Sequence, residues 1–301
     1  MAYISKAVSG NAHAALRKLR TFLDAREPRL VYFLVNTWQN QAKAITYKEL
    51  REAILAGDLA EEYLEQWRED YSRFVTRHLL PRWEEAMAEA TTQLKEQYPE
   101  WFYNTAAEGT SEWMETRAAE FVVNISNTQM EGLRAVIRNA SELHMMSVDE
   151  LARAIRPMVG LYAAQTKANL RYYEKLIENG ASPNRARDLS IRYGAKQHRY
   201  RAYNIARTEL AFGYNKGFYE GVKQAQRDGY VGTVRKIWCT ADDERVCPYC
   251  GGLEGKTIAL DEEFDFPTKL AATNPGIRLT PPAHPSCRCT IIVEPEAPDF
   301  K

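Results

Sequence analysis

Apolar side chains recur every three or four positions from the N-terminus to about residue 230. That spacing places them on one face of an α-helix and predicts one helix after another along this part of the chain. Between Asp58 and Leu79, charged residues surround an aromatic stripe made of Tyr63, Trp67, Tyr71 and Phe74. We interpret the stripe as the core-facing side of an amphipathic helix, with docking of a partner as the alternative.

Capping residues and prolines mark where helices begin and end. Four pairs have the three-residue spacing of a capping box: Thr46 with Glu49, Asp58 with Glu61, Ser126 with Gln129 and Ser147 with Glu150. Pro81 predicts a helix end or a kink, because proline lacks a backbone N–H. Asn179-Gly180 predicts another end, and Ser182-Pro183 predicts the start of the next helix, so the two helices form a hairpin.

From Thr233 onward the pattern changes to short β-branched runs separated by glycine and proline. Three runs predict strands of a small sheet, namely TVRKIWCT, KTIAL and CTIIVEP. The irregular aromatic segment EWFYNTAAEGT at residues 100–110 predicts a loop. The predicted fold class is α+β and predominantly α-helical, with a helical N-terminal and central region followed by a small C-terminal β module.

The predicted elements divide the chain into two domains. Residues 1–150 form a helical N-terminal region that we expect to dock to partners, and residues 151–301 form the second domain. Within it, the hairpin and a long helix occupy residues 151–229, and a cysteine-containing β module occupies residues 233–295.

Charge and hydropathy narrow the class of protein. The 40 basic and 40 acidic side chains of the 301-residue chain cancel, which excludes a strongly cationic nucleic-acid binder. The longest apolar run, Leu30 to Val35, is far shorter than the roughly 20 residues of a membrane span. The N-terminus lacks the apolar centre and cleavage site of a secretory signal, so we expect the chain to stay in the reducing compartment where it is made.

One segment is basic although the whole chain is neutral. It contains Arg185, Arg187, Arg192, Lys196, His198, Arg199, Arg201 and Arg207. The run is consistent with contact to DNA or a partner protein, but a solvated helix face with acidic neighbours elsewhere in the fold is the favoured interpretation, since charged helix faces are common.

Four of the five cysteines form two tight pairs. Cys247 and Cys250 lie in CPYCGG, which has the form of a metal-binding knuckle, and HPSCRC supplies His284, Cys287 and Cys289. Thiolates and imidazole are the ligands of structural zinc, so the sequence predicts a zinc site. Five candidates compete for four positions: Cys247, Cys250 and Cys287, with either Cys289 or His284 completing the site.

Other roles for these cysteines remain open. Reduced, buried thiols without metal are the main alternative, and a disulfide or redox role is less favoured. A thioredoxin-like C-x-x-C needs a helix after it, whereas Gly251-Gly252 interrupts one. The fifth cysteine, Cys239, follows Trp238 and is predicted to be a small buried strand residue.

The segments NIARTELAFGYNKGF, KIWCTADDERVCPYCGGLEGK and PPAHPSCRC occur in this order and together resemble the Mu protein F-like family of phage head morphogenesis proteins, also called minor head proteins. The resemblance covers roughly residues 150–293. It rests on Arg207, Thr208, Glu209, Asn215, Gly217, Trp238, Asp242, Arg245, Cys247, Cys250, Leu253, Gly255, His284, Pro285, Cys287, Arg288 and Cys289.

The resemblance implies a structural virion component, present in few copies inside the capsid at the portal vertex. It implies roles in head assembly and in DNA packaging or ejection, with the portal protein, other capsid proteins and viral DNA as partners. It implies no catalysis and no small-molecule substrate, and it places the chain in the host cytoplasm during assembly. The family gives no proven ligand list for the cysteine and histidine set.

Two other functions compete with this one. A metal-assisted nuclease of the HNH type would use His284, but it needs a histidine base beside further histidine or asparagine ligands, and His284 is the only histidine in the last hundred residues. A free-standing DNA-binding module is the other alternative. The remaining histidines, at positions 13, 78, 144 and 198, are isolated and are predicted to be surface or packing residues.

The unit Arg207-Thr208-Glu209 is predicted to be structural. Consecutive helical residues point in different directions and cannot form one catalytic face. We expect Arg207 and Glu209 to form ion pairs near Asp242, Asp243 and Arg245 that hold the long helix to the metal module. An ADP-ribosyltransferase role is not supported, because the other motifs of such enzymes are missing from the sequence.

Overall fold

The structure, a computed structural model, describes residues 6–140, 147–241, 243–266 and 278–296. Its helices are α1 (Lys6–Ala44), α2 (Tyr47–Ala56), α3 (Glu62–Phe74), α4 (Leu80–Ala90), α5 (Thr92–Gln97), α6 (Glu108–Ala140), α7 (Val148–Ile155), α8 (Ala163–Glu178), α9 (Pro183–Arg227) and α10 (Pro248–Gly251). Its strands are β1 (Val234–Cys239), β2 (Thr257–Ala259) and β3 (Thr290–Pro295). The predominantly helical α+β class is confirmed.

These elements form two compact units. Unit 1 comprises Met1–Pro28, Leu80–Met114 and Asn204–Lys301, and unit 2 comprises Arg29–Leu79 and Glu115–Tyr203. Helices α1, α6 and α9 contribute residues to both units, so neither unit is one continuous stretch of sequence. Neither unit begins or ends at residue 150, and the domain boundary there stays a prediction.

The aromatic stripe of α3 lies in the core of unit 2. Trp67, Tyr71 and Phe74 are buried, and the phenolic oxygen of Tyr71 accepts a hydrogen bond of 2.8 Å from Trp38 Nε1. Tyr63 is partly exposed. The stripe is therefore core, as predicted.

Pro81 follows a local distortion of the helix. Between α3 and α4, residues Val75–Leu79 form a π-helical turn, and Pro81 is the second residue of α4. Proline has no N–H to donate to the carbonyl of Arg77, four residues earlier, which favours a wider turn at this point. The predicted kink is confirmed in this form.

Two of the four predicted capping boxes are present. The hydroxyls of Thr46 and Ser147 each accept a hydrogen bond of 3.2 Å from the backbone N–H of Glu49 and Glu150. Each carboxylate accepts the cap residue's backbone N–H in return, at 2.7 and 2.9 Å. These reciprocal bonds satisfy exposed donors at the starts of α2 and α7.

The other two capping predictions are wrong. Asp58 accepts from the adjacent Leu59 N–H and pairs with Arg134, while α3 begins at Glu62 without a side-chain cap. Ser126 lies inside α6, where its hydroxyl donates to the carbonyl of Val122 at 2.7 Å. A capping motif can be mimicked within a helix because Ser and Thr also bond to the preceding turn.

The predicted hairpin and loop are confirmed. Helix α8 ends at Glu178, Gly180 adopts a left-handed φ of 83°, and α9 begins at Pro183. The loop before α6 is held within unit 1 by Trp101, whose indole N–H donates to Asp228 at 3.1 Å.

The three strands form an antiparallel sheet in the order β2-β1-β3. On one face, Trp238 and Ile291 belong to the same buried cluster as the cysteines. On the other face, Ile237, Cys239 and Ile292 pack with apolar residues of α1. Cys239 is thus a buried strand residue, as predicted, and it faces away from the other four. Among the described residues, no helix has the length and apolarity needed to cross a membrane.

Candidate metal centre

The first cysteine pair is fixed by one short helical turn. Cys247 caps the N-terminus of α10, with Pro248 at the first helical position. The Cys247 sulfur accepts a hydrogen bond from the backbone N–H of Cys250 at 3.3 Å. This turn brings both sulfurs to one side, because proline and the cap fix the backbone at its start.

The second arm runs from His284 to Cys289. The Cys287 N–H donates to the carbonyl of His284 at 3.1 Å, and Ser286 between them adopts a φ of 60°. Cys287 and Cys289 are both buried. Separated by one residue in a nearly extended segment, they reach the same cluster, as the spacing predicted.

The five predicted ligands come together in two overlapping groups that share Cys250. One group contains Cys247, Cys250 and His284, and the other contains Cys250, Cys287 and Cys289. The Cys250 and Cys287 sulfurs lie 3.7 Å apart. A tetrahedral site with metal–sulfur bonds of about 2.3 Å has a sulfur–sulfur edge of about 3.8 Å. The cluster could therefore hold a metal ion.

The imidazole of His284 is oriented toward the sulfurs. Its Nε2 lies 3.1 Å from the Cys247 sulfur and 3.4 Å from the Cys250 sulfur. Its Nδ1 lies 2.9 Å from the carbonyl oxygen of Pro285. A carbonyl oxygen can only accept a hydrogen bond, so Nδ1 is the donor. That bond would leave the Nε2 lone pair facing the cluster, as in most metal-bound histidines.

Ionisation of one thiol in the cluster changes the pKa of its neighbours. Hydrogen bonds from Cys250 and Cys289 lower the pKa of Cys287, whereas the hydrogen bond to Cys287 raises the pKa of Cys250. Buried thiolates in contact repel one another, so several can ionise together only if a cation lies among them. The buried indole N–H of Trp238 has no conventional partner, and its contact is with the Cys289 sulfur. Both features suit a thiolate cluster that binds a metal.

Helix α9 holds the second arm through Thr208. Its hydroxyl accepts the Ser286 N–H at 2.9 Å and donates to the carbonyl of Asn204 at 2.6 Å. The Asn204 side chain accepts from the Ser286 hydroxyl at 2.8 Å. These bonds fix the turn between His284 and Cys287.

Asn215 holds the end of the same arm. Its amide nitrogen donates to the Cys289 carbonyl at 3.3 Å, and its amide oxygen accepts from Thr290 at 2.9 Å. Sequence reasoning missed the roles of Asn204, Thr208 and Asn215. A signal was available, because their spacing of four and seven residues places three polar side chains on one helix face.

The ion pairs of Arg207 differ from those expected. Arg207 donates to the buried carboxylate of Glu27 at 2.6 and 3.0 Å and contacts Asp24 at 3.4 Å, both on α1. Glu209 is buried, and its backbone carbonyl accepts from Trp83 at 3.0 Å. Arg207 therefore connects α9 to α1. Within the motif Arg207-Thr208-Glu209, Thr208 is the residue that contacts the cysteine arm.

Asp243 forms its own ion pairs beside the cluster. It accepts both terminal nitrogens of Arg288, one at 2.7 Å, and pairs with Arg245 at 3.3 Å. The hydrogen bonds from Arg288 hold the pKa of the Asp243 carboxyl well below its usual range. Asp242 lies outside the described residues.

The basic run does not form one continuous patch. Four members are exposed, namely Arg185, Arg192, Lys196 and Arg199. Arg201 is buried, and Arg207 pairs with acidic residues of α1. The pairing of Arg207 agrees with the interpretation of a solvated face that has acidic neighbours elsewhere in the fold, and Arg201 departs from it because it is buried.

The isolated histidines that the structure describes do not form a further metal site. His198 Nε2 donates to the Val159 carbonyl, 2.7 Å away, and burial lowers the His198 pKa to about 4. His78 stacks on Phe33, and His13 is exposed. His144 lies outside the described residues. Within those residues, the metal-ligand groups include a single histidine, His284, so HNH chemistry gains no support.

A family model described as phage Mu protein F like protein matches residues 146–292. The match confirms that this part of the chain resembles the family. The matched stretch contains all five ligand candidates and the α9 residues that hold them. The match suggests a role in phage head morphogenesis, with capsid proteins as the partners and the virion as the location that this family implies. No curated protein and no solved structure matches the chain.

Proposed function

We propose that this phage Mu F-like chain is a minor head protein that acts at the portal vertex, in head assembly and in the packaging or ejection of DNA. The observation that carries the proposal is the family match over residues 146–292. The structure of that region supports a non-catalytic role, because its polar motif residues are engaged in holding the cysteine arm. Thr208 and Asn215 both bond to backbone groups of that arm.

We further propose that the cluster binds structural zinc through Cys247, Cys250, His284 and Cys287. The imidazole nitrogen of His284 lies within 3.4 Å of two cysteine sulfurs. Cys289 groups only with Cys250 and Cys287, and its sulfur also contacts the indole of Trp238. Four thiolate or imidazole ligands form a closed structural site, which leaves no position for a substrate.

The virion role can be tested with the phage itself. Mass spectrometry of purified virions should detect the chain in a few copies per particle, and a portal-protein bait should retain it from infected cells. A Cys250→Ser variant should reduce assembly of infectious heads, whereas Cys239→Ser, which changes a buried cysteine outside the cluster, should not. Particles that lack the chain and yet package and eject DNA normally would exclude the proposal.

The ligand set can be tested separately by metal analysis of the purified chain. We expect about one zinc per chain, because the two groups of candidate ligands share Cys250 and one ion takes four ligands. His284→Ala should lose most of the zinc, and Cys289→Ala should keep it. The reverse result would show that Cys289, and not His284, is the fourth ligand. A wild-type chain that keeps its fold without metal would reject the zinc site.

A further inference from the structure

A cationic cavity lies beside the cysteine cluster in unit 1. Its volume is about 320 Å³, and its lining comes from α1, from α9 and from the segments around the cysteine pairs. Five arginines line it, namely Arg17, Arg20, Arg207, Arg245 and Arg288. The volume is at the lower end of the range for cavities that hold small ligands.

The rest of the wall is largely apolar. Leu16, Leu19 and Leu23 of α1 and Ala241 line the cavity between the arginines. Apolar walls exclude water and lower the local dielectric constant, so a bound anion interacts more strongly with the guanidinium groups than it would on an open surface.

The balance of charge favours a dianion. Asp24 and Asp243 also line the cavity, and Glu27 pairs with Arg207 from a fully buried position. Five arginines against these three carboxylates leave a net charge of +2 when His13 is neutral.

The carboxylates hold the arginine side chains in place but do not occupy all of the arginine N–H groups. Asp243 accepts both terminal nitrogens of Arg288, and it also pairs with Arg245, whose side chain is 73% exposed. A guanidinium has more N–H groups than one carboxylate accepts. Arg245 therefore retains donor capacity at the cavity, as does the exposed Arg17 of α1.

We propose that this cavity binds a phosphate monoester or free phosphate. The oxygens of a phosphate dianion accept hydrogen bonds from several directions, which suits arginines that come from three parts of the chain. A carboxylate of an acidic peptide has two oxygens in one plane and a single charge, and fits this arrangement less well. The phosphate can come from a free nucleotide or from the terminal 5′-phosphate of a DNA strand.

The first experiment titrates the full-length chain with inorganic phosphate in a calorimeter. We expect saturable binding at one site per chain. The variant Arg17→Gln/Arg245→Gln should bind about 100-fold more weakly, since each charge-assisted hydrogen bond corresponds to about tenfold in affinity. The control Arg185→Gln/Arg192→Gln makes the same change of charge on the exposed surface of α9 in unit 2 and should bind as the wild type does. All four positions are exposed, so both variants should fold.

Further titrations identify the source of the phosphate. A nucleoside monophosphate that competes with inorganic phosphate points to a free nucleotide. A short duplex that competes only when it carries a 5′-phosphate points to a DNA end. The proposal is overturned if phosphate binding does not saturate, if both double variants lose affinity equally, or if an oligoglutamate peptide binds more tightly than phosphate.

Discussion

The two compact units bury polar groups in different ways. In unit 2, Trp38 donates to Tyr71, the Tyr71 hydroxyl donates to Gln129, and Gln129 donates in turn to Gln41 at 3.1 Å. In unit 1, buried cysteine sulfurs face one another and one imidazole. Groups that satisfy each other need no ligand, whereas clustered thiols gain most of their stabilisation from a bound cation. The hydrogen-bond network around Tyr71 is therefore complete without a ligand, whereas the cysteine cluster is the arrangement that a metal would complete.

Buried cations show the same difference. In unit 2, Arg201 donates to Gly160 and to Thr128 and lies over the Trp38 ring. In unit 1, the Lys236 ammonium is fully buried and has no hydrogen-bond partner in the part of the chain that the structure describes. It lies between the rings of Tyr219 and Phe264, at 5.3 and 5.2 Å. A guanidinium can bond several acceptors at once, whereas this ammonium contacts ring faces and is attracted by Asp261 and Glu262 without a hydrogen bond among the described residues.

Chelation should produce the largest difference between the units. Removal of zinc should cost the cysteine module on the order of 10 kcal/mol of apparent folding free energy, because metal binding and folding of such a site are coupled. Hydrogen exchange should show fast exchange in β1, β3 and the two cysteine arms, with little change in α3 and α8. Re-addition of zinc should restore protection, and equal loss of protection in both units would reject the comparison.

Acid should destabilise unit 2 through His198. Burial lowers its pKa to about 4, so above about pH 6.5 it is neutral in both the folded and the unfolded states. Between about pH 6.5 and about pH 4, the His198 imidazole is protonated in the unfolded state but stays neutral in the folded state. Stability should therefore fall by about 3 kcal/mol across this window.

The variant His198→Gln tests this window. It keeps a donor for the Val159 carbonyl and should flatten the dependence of unfolding free energy on pH between 6.5 and 4. His13→Gln changes an exposed histidine of unit 1 and should leave the slope as in the wild type. An unchanged slope in His198→Gln would show that the imidazole is not held neutral.

Lys236 should limit the stability of unit 1. Burial lowers its pKa to about 8, so the folded state disfavours the charged form below that pH, and the penalty disappears as pH rises toward about 10.5. Lys236→Met should stabilise unit 1 by about 2 kcal/mol at neutral pH, because the desolvation cost of the buried charge exceeds the attraction lost with it, which comes from the two rings and from Asp261, Glu262 and Glu263. Chemical denaturation at pH 7 and pH 10 measures both effects. The exposed Lys256→Met should change little, and a destabilised Lys236→Met would mean that the ammonium is well satisfied.

Local patterns in the sequence predicted local structure well. The aromatic stripe, the hairpin at Gly180 and the three strands all depend on neighbours a few residues apart, and all are present. The clustering of Cys247 with Cys250, and of Cys287 with Cys289, is likewise set by short spacing.

Long-range electrostatics was the part that the sequence could not predict. Asp58 was expected to cap a helix, but it pairs with Arg134, 76 positions away. Arg207 was expected to pair near Asp243, but it pairs with Glu27, 180 positions away. Any exposed carboxylate can attract any arginine, so only the packing of the helices selects the partners.

The smallest expected effect comes from a matched pair of threonines, one in each unit. Thr208 in unit 1 accepts the Ser286 N–H, and Thr128 in unit 2 accepts from Arg201, each at 2.9 Å. Replacement by valine should cost about 1 kcal/mol at either site without a change in volume, since the hydroxyl no longer accepts its hydrogen bond, while the helix carbonyls to which it donated keep their backbone partners. Only Thr208→Val should also speed zinc loss to a chelator, by about tenfold, because it frees the turn that carries His284 and Cys287. Zinc release at the same rate in both variants would show that α9 does not support the metal site.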